Sequence, residues 1–440
     1  MATKSSWIPL SQLCEAIVDC EHKTAPVQDS GIPSIRTTNI KNGRLDLENA
    51  NLVSEETYKL WTARLEPQPN DLILAREAPV GEVGIVPRGK RVCLGQRTVL
   101  IRPDGKKLFP RYLLYLLLTP EMRHEMTCRA EGSVVPHLNM SDIRNFEIPP
   151  PPPLDEQKAI AHILGTLDDK IELNQQMNRT LEAIARAIFK SWFIDFDPVR
   201  AKMDGRQPVG MDAEMAVLFP DEFEDSPLGQ IPKGWTYQAA NCIANIGIGK
   251  TPPRKEQAWF SLNLKNIRWV SIRDMGASGV FIRKTKEYLI PDALHKFSIK
   301  IVPDNTVLLS FKLTIGRVVL TDGEMVTNEA IAHFKLPVYT PFSSEYLYLY
   351  LEKFDYNQLG NTSSIAQAVN SKIIKEMPIL NPGADILNTF SCRIASIFRK
   401  IKQTQQESET LSSIRDTLLP KLLSGEIRVK DAEKVLEEVV

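Results

Sequence analysis

The 440-residue chain carries no formal net charge, because 54 basic and 54 acidic residues cancel. That excludes a general electrostatic attraction to nucleic acid or to a membrane surface, so any positive surface has to be local. Cysteine is scarce: Cys14, Cys20, Cys93, Cys128, Cys242 and Cys392 are scattered and form no C-x-x-C pair. Neither a zinc cluster nor a disulfide framework is indicated, and reduced, mostly buried thiols are expected. His22, His124, His137, His162, His295 and His333 lie far apart and form no H-E-x-x-H spacing, so no metal site is expected. No apolar run reaches the roughly 18 residues of a membrane span. The opening MATKSSWIPL also lacks the apolar core of a signal peptide, so a cytoplasmic location and no membrane partner are expected. What is present, 43% hydrophobic residues in a chain too long for one ordinary core, predicts a folded protein of two or more domains.

The stretch DEQKAIAHILGTLDDKIELNQQMNRTLEAIARAIFKSWF, residues 155–193, follows a run of five prolines. Asp155 and Glu156 suit a helix N-terminus, where they satisfy free amides and complement the dipole. From there Ile160, Leu164, Leu167, Ile171, Asn174, Asn178, Leu181, Ala185 and Ile188 alternate steps of four and three, a coiled-coil seam. A helix of this length spans on the order of 50 Å. A second seam, Phe390, Ile394, Ile397, Ile401, Thr404, Ser408, Leu411, Arg415 and Leu418, repeats it near the C-terminus and keeps a polar pair at its centre. Where Arg415 answers Ala185, the seam is expected to drift to Ile184 and Ile414. The acidic and basic residues Asp168, Asp169, Lys170, Glu172 and Arg179 are expected on a solvated or partner-docking face.

The sequence before each helix repeats as well. PQPNDLILAREAPVGEVGIV answers IVPDNTVLLSFKLTIGRVVL, FPRYLLYLLL answers FSSEYLYLYL, and HKTAP answers GKTPP. The predicted architecture is therefore a mixed α/β (α+β) tandem repeat of globular module, long helix, globular module, long helix. Expected boundaries are 1–150 for the first module, 151–194 for the central helix, 195–230 for a linker rich in Asp, Pro and Gly, 231–380 for the second module, 381–425 for the distal helix and 426–440 for a tail. Arg111–Leu118 and Glu345–Leu351 read as short helices, and Trp61 and Trp269 as strand residues packed in the cores.

The segments IPPPPPLDEQKAIAHILGTLDDKIELNQQMNRTLEAIARAIFKSWFIDFDPV, SPLGQIPKGW and LLPKLLSGEI, in this order, resemble the specificity subunit of type I restriction-modification systems, and the likeness covers nearly the whole chain. The resemblance implies two target-recognition domains, each reading one half of a bipartite, asymmetric site in double-stranded DNA. It implies two long helices that pair as an antiparallel coiled coil with pseudo-twofold symmetry, set the spacer and dock two modification (methyltransferase) subunits, with ATP-dependent restriction subunits joining the complex. It also implies a chain that is non-catalytic by itself and binds no cofactor. S-adenosylmethionine is then expected on the modification subunits, and ATP with magnesium on the restriction subunits. The alternative is a coiled-coil scaffold with protein-binding modules and no DNA specificity.

Catalytic motifs fit poorly. ANIGIGKT, Ala244–Thr251, lacks the first glycine of a phosphate loop, and Pro252 and Pro253 are a poor start for the helix such a loop needs. No Asn/Asp-Pro-Pro-aromatic tetrad of a DNA amino-methyltransferase occurs, and EHK at Glu21–Lys23, which has the E-x-K form of a nuclease site, is expected to lack a suitably placed strand-borne aspartate. Base edges are read by Arg, Lys, Asn, Gln and short hydroxyls held on rigid modules. The repeat narrows the DNA-binding candidates in the first module to Lys23, Thr24, Arg36, Thr38, Asn39, Arg76, Gln96, Arg97, Ser133, His137 and Asn139. In the second they are Lys250, Thr251, Arg254, Arg273, Asp274, Lys312, Asn328, Ser363, Ser364 and Gln367.

Overall fold

A computed structural model describes residues 6–130, 136–359 and 370–437. The chain divides into two compact units, one made of Met1–Glu172 with Glu409–Val440 and the other of Leu173–Ser408.

In the first unit an antiparallel sheet runs in the order Cys14–Asp19, Thr98–Pro103, Leu72–Ala75, Val83–Ile85. The run LILA of Leu72–Ala75 is buried throughout, and its side chains alternate between two cores. Leu72, Leu74, Val99 and Ile101 face the helices, whereas Ile73, Ala75 and Leu100 face a smaller core with Ile35, Val86 and Leu94. A sheet covered on both faces is what a continuous apolar run requires. The covering helix Pro110–Leu118 takes Pro at its first turn, where no amide hydrogen is needed, and buries Tyr112 through Leu117. Beyond the sheet, Ile32–Ile35 pairs parallel to Cys93–Leu94 and antiparallel to Asn51–Val53.

The second unit repeats this plan with a five-stranded sheet in the order Asn245–Ile248, Ile331–Lys335, Val307–Ser310, Val318–Thr321, Phe281–Ile282. Val307, Leu309, Phe334 and Leu320 face the helix side, covered by Ser344–Lys353, and Leu308, Val319 and Ile331 face the opposite core. The repeat extends to single hydrogen bonds. Ala75 N donates to Glu82 O at 2.7 Å as Ser310 N does to Arg317 O at 2.9 Å. Gly81 N donates to Ala75 O and Gly316 N to Ser310 O, both at 3.0 Å. Asn70 and Asn305, Ala78 and Leu313, and Gly81 and Gly316 occupy the same left-handed conformations in the two modules.

The two long helices are Leu154–Phe193 and Ala384–Leu423. The central helix starts where the proline run ends, and Gln157 ties that start to its module by accepting from Phe109 N at 2.8 Å and donating to Lys107 O at 3.1 Å. The helices pack antiparallel in each unit. In the first, Ile160, Leu164, Leu167 and Ile171 share one core with Leu411 and Leu418, and Asp168 pairs with Arg415 at 2.7 Å. In the second, Asn174 Nδ2 donates to Glu407 Oε2 at 3.0 Å, and Thr404 Oγ1 donates to Asn178 Oδ1. There Leu181, Ile188, Phe390, Ile394, Ile397 and Ile401 join one apolar cluster, and Ser408 Oγ donates to Thr404 O at 2.8 Å.

Several local expectations change. On the central helix the seam does not drift, since Ala185 is 1% exposed in a cluster with Phe189 and Phe390 whereas Ile184 is 44% exposed; on the distal helix Ile414 does pack against the apolar core, and Arg415 turns to Asp168. The acidic face of the central helix is largely occupied by its own module, with Asp168 accepting from Tyr115 Oη at 2.7 Å, Asp169 paired with Arg111 at 2.6 Å and Glu172 with Arg44. Segment 195–230 is folded, holding helices Asp197–Met203 and Ala213–Val217 and a strand pair from Phe223 to Pro232. Its aromatic content explains this, since Phe219 packs edge-on to Trp192 at 5.2 Å and Phe196 to Trp235 at 5.8 Å. The tail carries helix Val429–Glu437, with Ala432 buried. Trp61 ends a helix, Glu55–Trp61, instead of lying in a strand, whereas Trp269 is a buried strand residue. All six cysteines are free, yet Cys128, Cys242 and Cys392 are exposed on helices. Burial pushes the thiols of Cys14 and Cys93 up to about 12.

Candidate nucleic-acid interface

In the first module the described candidates converge on one end of the four-stranded sheet. Asp19 closes the first strand there, and Arg76 leaves the strand Leu72–Ala75 beside it. Arg76 is held from both sides: Nη1 donates to Asp19 Oδ2 at 2.7 Å and Nε to Leu138 O at 2.9 Å. His22 Nε2 reaches the same Asp19 oxygen at 3.2 Å. Gln96 Nε2 donates to His22 O at 3.1 Å, and Thr24 Oγ1 donates to Gln96 Oε1 at 3.3 Å, which seats the Lys23–Thr24 loop on the residues before strand Thr98–Pro103. Arg97, in a left-handed conformation, is exposed and pairs with Glu77 at 3.2 Å. Glu77 in turn bridges to His137 in the backbone, and Asn139 precedes helix Met140–Arg144, with Asp142 Oδ2 accepting its amide at 3.2 Å. Arg36 and Thr38 are exposed on the turn after Ile35, beside Gly95, where a Cβ would lie 2.5 Å from Ile35 O and 2.8 Å from Arg36 Cγ. Glycine is needed at 95 for this close approach.

The second module uses the same end of its sheet. Lys250 N donates to Thr327 O at 2.9 Å, its Nζ to Phe297 O at 3.2 Å, and Thr251 Oγ1 donates to Glu329 Oε2. Thr251 to Glu329 is the counterpart of Thr24 to Gln96. Asn328 N donates to Val270 O, and Asn328 Oδ1 accepts from Ala330 N, both at 3.0 Å. Arg254 lies over the rings of Phe260 and Trp269 at 4.3 and 4.5 Å and pairs through both terminal nitrogens with Glu287 at 2.9 and 3.0 Å. Arg273 and Lys312 are exposed. The segment Ala244–Thr251 forms strand Asn245–Ile248 and then a loop, so it opens no helix.

Not every candidate faces outward. Asn39 is 4% exposed and uses its amide on Asn49 O at 3.3 Å and on Arg36 N at 3.2 Å. Asp274 is 9% exposed and accepts from Ser271 N at 2.9 Å and Lys286 N at 3.1 Å. Both are structural caps, because short polar side chains at turns find local backbone first. Ser133, Ser363, Ser364 and Gln367 lie outside the described residues. Sequence reasoning passed over Asp19, Glu77 and Glu329, carboxylates that orient the basic and hydroxyl groups. For Glu329 the signal was available, since the repeat aligns it with Gln96. Among the described residues, no group of His, Cys, Asp and Glu is placed to hold a metal ion, and no helix is long and apolar enough to cross a membrane.

Comparison with known proteins agrees with the repeat. The family model of the type I restriction modification DNA specificity domain matches residues 10–183 and again 232–413. The chain is 29% identical over 373 residues to the type I restriction enzyme HindI specificity subunit of Haemophilus influenzae, covering 75% of this chain and 80% of that one. It is 28% identical over 388 residues to the MjaIX specificity subunit of Methanocaldococcus jannaschii, covering 86% and 82%. In fold it is similar to the crystal structure of a type I restriction-modification S subunit from M. genitalium, with a TM-score of 0.55 at 16% identity over 95% of each chain. Two matched copies of one domain, a repeated backbone and relatives of the same kind along most of the chain carry one conclusion: the protein belongs to the family of type I restriction-modification specificity subunits.

Proposed function

We propose that the chain is the DNA-reading subunit of a type I restriction-modification complex, each module recognising one half of a bipartite, asymmetric site. The observation that carries this is the shared end of the two sheets. In both modules a Lys-Thr pair is clasped to the residues before the same strand, through Thr24 and Gln96 or Thr251 and Glu329. Around that common frame the exposed side chains differ, with Arg36 and Arg97 in one module and Arg254, Arg273 and Lys312 in the other. A shared scaffold carrying different donors suits two half-sites of different sequence. The paired helices act as the ruler between half-sites and as the dock for two modification subunits, with restriction subunits completing the assembly. The chain itself is non-catalytic and cytoplasmic. S-adenosylmethionine binds the modification subunits, and ATP with magnesium the restriction subunits.

The test is to assemble the chain with its modification subunit, add S-adenosylmethionine and sequence methylated adenines in a mixed DNA pool. A split, asymmetric motif with a fixed gap is expected. Methylation that depends on neither module, or none together with no salt-dependent duplex binding, refutes the assignment.

A further inference from the structure

The loop Lys312–Gly316 stands at the same end of the second module's sheet as Lys250, Thr251 and Asn328, because Phe311 N donates to Ala330 O at 3.0 Å and Gly249 N to Ile331 O at 3.2 Å. At its tip Leu313 is 99% exposed and holds a φ of 63°. A branched side chain in the left-handed region is strained, and such strain persists only where the surroundings impose it. They do so here. Ser310 Oγ donates to Thr314 O at 2.6 Å and accepts from Arg317 N at 3.0 Å, Gly316 N donates to Ser310 O at 3.0 Å, and Arg317 Nη1 anchors on Ile272 O at 2.7 Å. Among the described residues, Leu313 alone combines a left-handed backbone with a large, exposed apolar side chain. Glycine would relieve the strain, and a polar residue would remove the exposed apolar surface. The sequence has neither.

The first module supplies an internal comparison. Ala78 occupies the corresponding place with a φ of 45°, followed by Pro79, on a loop closed by the same Gly81 N to Ala75 O bond at 3.0 Å. The backbone device is therefore common to both modules, and at the left-handed position itself only the second mounts a long apolar side chain, the first carrying Ala78 with the short exposed ring of Pro79 after it. Lys312 beside Leu313 is exposed, with its Nζ 5.5 Å from the Phe311 ring centroid and, among the described residues, no ion pair, so a cation flanks the apolar tip. An apolar tip on a rigid loop with an adjacent cation matches what inserts between base steps while the flanking charge meets phosphate.

We propose that Leu313 is a wedge that the second module inserts between two adjacent base pairs of its half-site, and that the first module, ending in Ala78, does not insert. This rests on the DNA-reading assignment above. Its specificity consequence is a preference at one base step for the readily unstacked pyrimidine–purine sequence, without hydrogen bonds to that step.

The experiment uses the full chain assembled with its modification subunits. The methylated motif is determined first, and absence of any defined motif removes the DNA-reading assignment and the wedge with it. With the motif known, 2-aminopurine replaces each purine of both half-sites in turn, and fluorescence is compared for the wild-type chain, Leu313→Ala and Leu313→Met. The expected result is one fluorescent step, in one half-site only, that Leu313→Met retains and Leu313→Ala loses. Any signal from an adenine turned out for methylation persists in all three. Leu313→Ala also weakens specific binding by roughly tenfold, with the salt dependence unchanged because no phosphate contact is lost. Identical fluorescence profiles for the wild type and Leu313→Ala, with the motif still methylated, overturn the wedge and leave the DNA-reading assignment standing.

Discussion

The polar layer at the centre of the helix pair offers the sharpest energetic test. Asn174 is 2% exposed and its Nδ2 donates to Glu407 Oε2 at 3.0 Å. A hydrogen bond to a charged group contributes about 1.5–3 kcal/mol, so Asn174→Leu should cost about that much. Glu407→Leu leaves the Asn174 amide buried with this acceptor gone, at a cost of about 1–3 kcal/mol. The double variant places leucine against leucine in the seam, where each buried side chain contributes about 1.5–3 kcal/mol, so its stability should return close to wild type. The cycle should therefore show a coupling of about 2 kcal/mol or more. Native-state hydrogen exchange of the amides in 170–182 reads this locally, and 2 kcal/mol corresponds to roughly 30-fold in exchange rate. Costs that simply add, within about 0.5 kcal/mol, would refute the claim that these two side chains form one unit. A second readout tests the purpose of the layer. Polar seam residues specify register at a cost in stability, so the double variant, assembled with modification subunits, should methylate motifs with a mixture of gap lengths where the wild type has one.

Two further outcomes are expected. His333 lies in strand Ile331–Lys335, 2% exposed, and burial, with the nearby charges of Lys335 and Lys300, pushes its imidazole from the ordinary 6.5 down to about 4. The folded state thus resists a proton that the unfolded chain accepts. The contribution is fully present above about pH 6.5 and is lost towards pH 4, on the order of 3 kcal/mol in all. Thermal melting across this range should fall more steeply for the wild type than for His333→Gln, and parallel curves would contradict it. Arg76→Ala strips the half-buried Asp19 of its guanidinium partner and leaves it only His22, and among the described residues Asp19 Oδ1 has no hydrogen-bond partner, so the first unit should lose about 3 kcal/mol, seen as a lowered melting temperature. Methylation sequencing should then show the first half-site weakened or relaxed and the second unchanged. A change confined to the second half-site would reverse the assignment of modules to half-sites.

The regular parts of this protein are local and were legible. The start of the central helix follows from the proline run and the acidic first turn, and the strand Leu72–Ala75 from an apolar run between polar residues. The internal repeat by itself puts Thr24 and Thr251 at equivalent positions. Periodicity, capping and repetition are properties of neighbouring residues, so the chain alone carries them.

The candidate surface was legible only as regions. Asn39 and Arg36 are three residues apart, yet one is turned inward to cap a turn and the other is exposed, a difference made by Asn49, which approaches from another turn. Segment 195–230 has the composition of a linker, but Phe196, Phe219 and Phe223 find Trp192 and Trp235 or one another, and apolar burial folds it. Ile184 loses its place in the seam to Ala185, which is buried in one cluster with Phe189 and with Phe390 of the distal helix. Sequence by itself determined the tandem plan, the long helices and the family, since each rests on local pattern repeated along the chain. Tertiary structure decided which polar side chains are left to face a ligand, which carboxylates hold them, and that Leu313 projects where Ala78 does not, because burial and hydrogen bonding depend on partners distant in the chain.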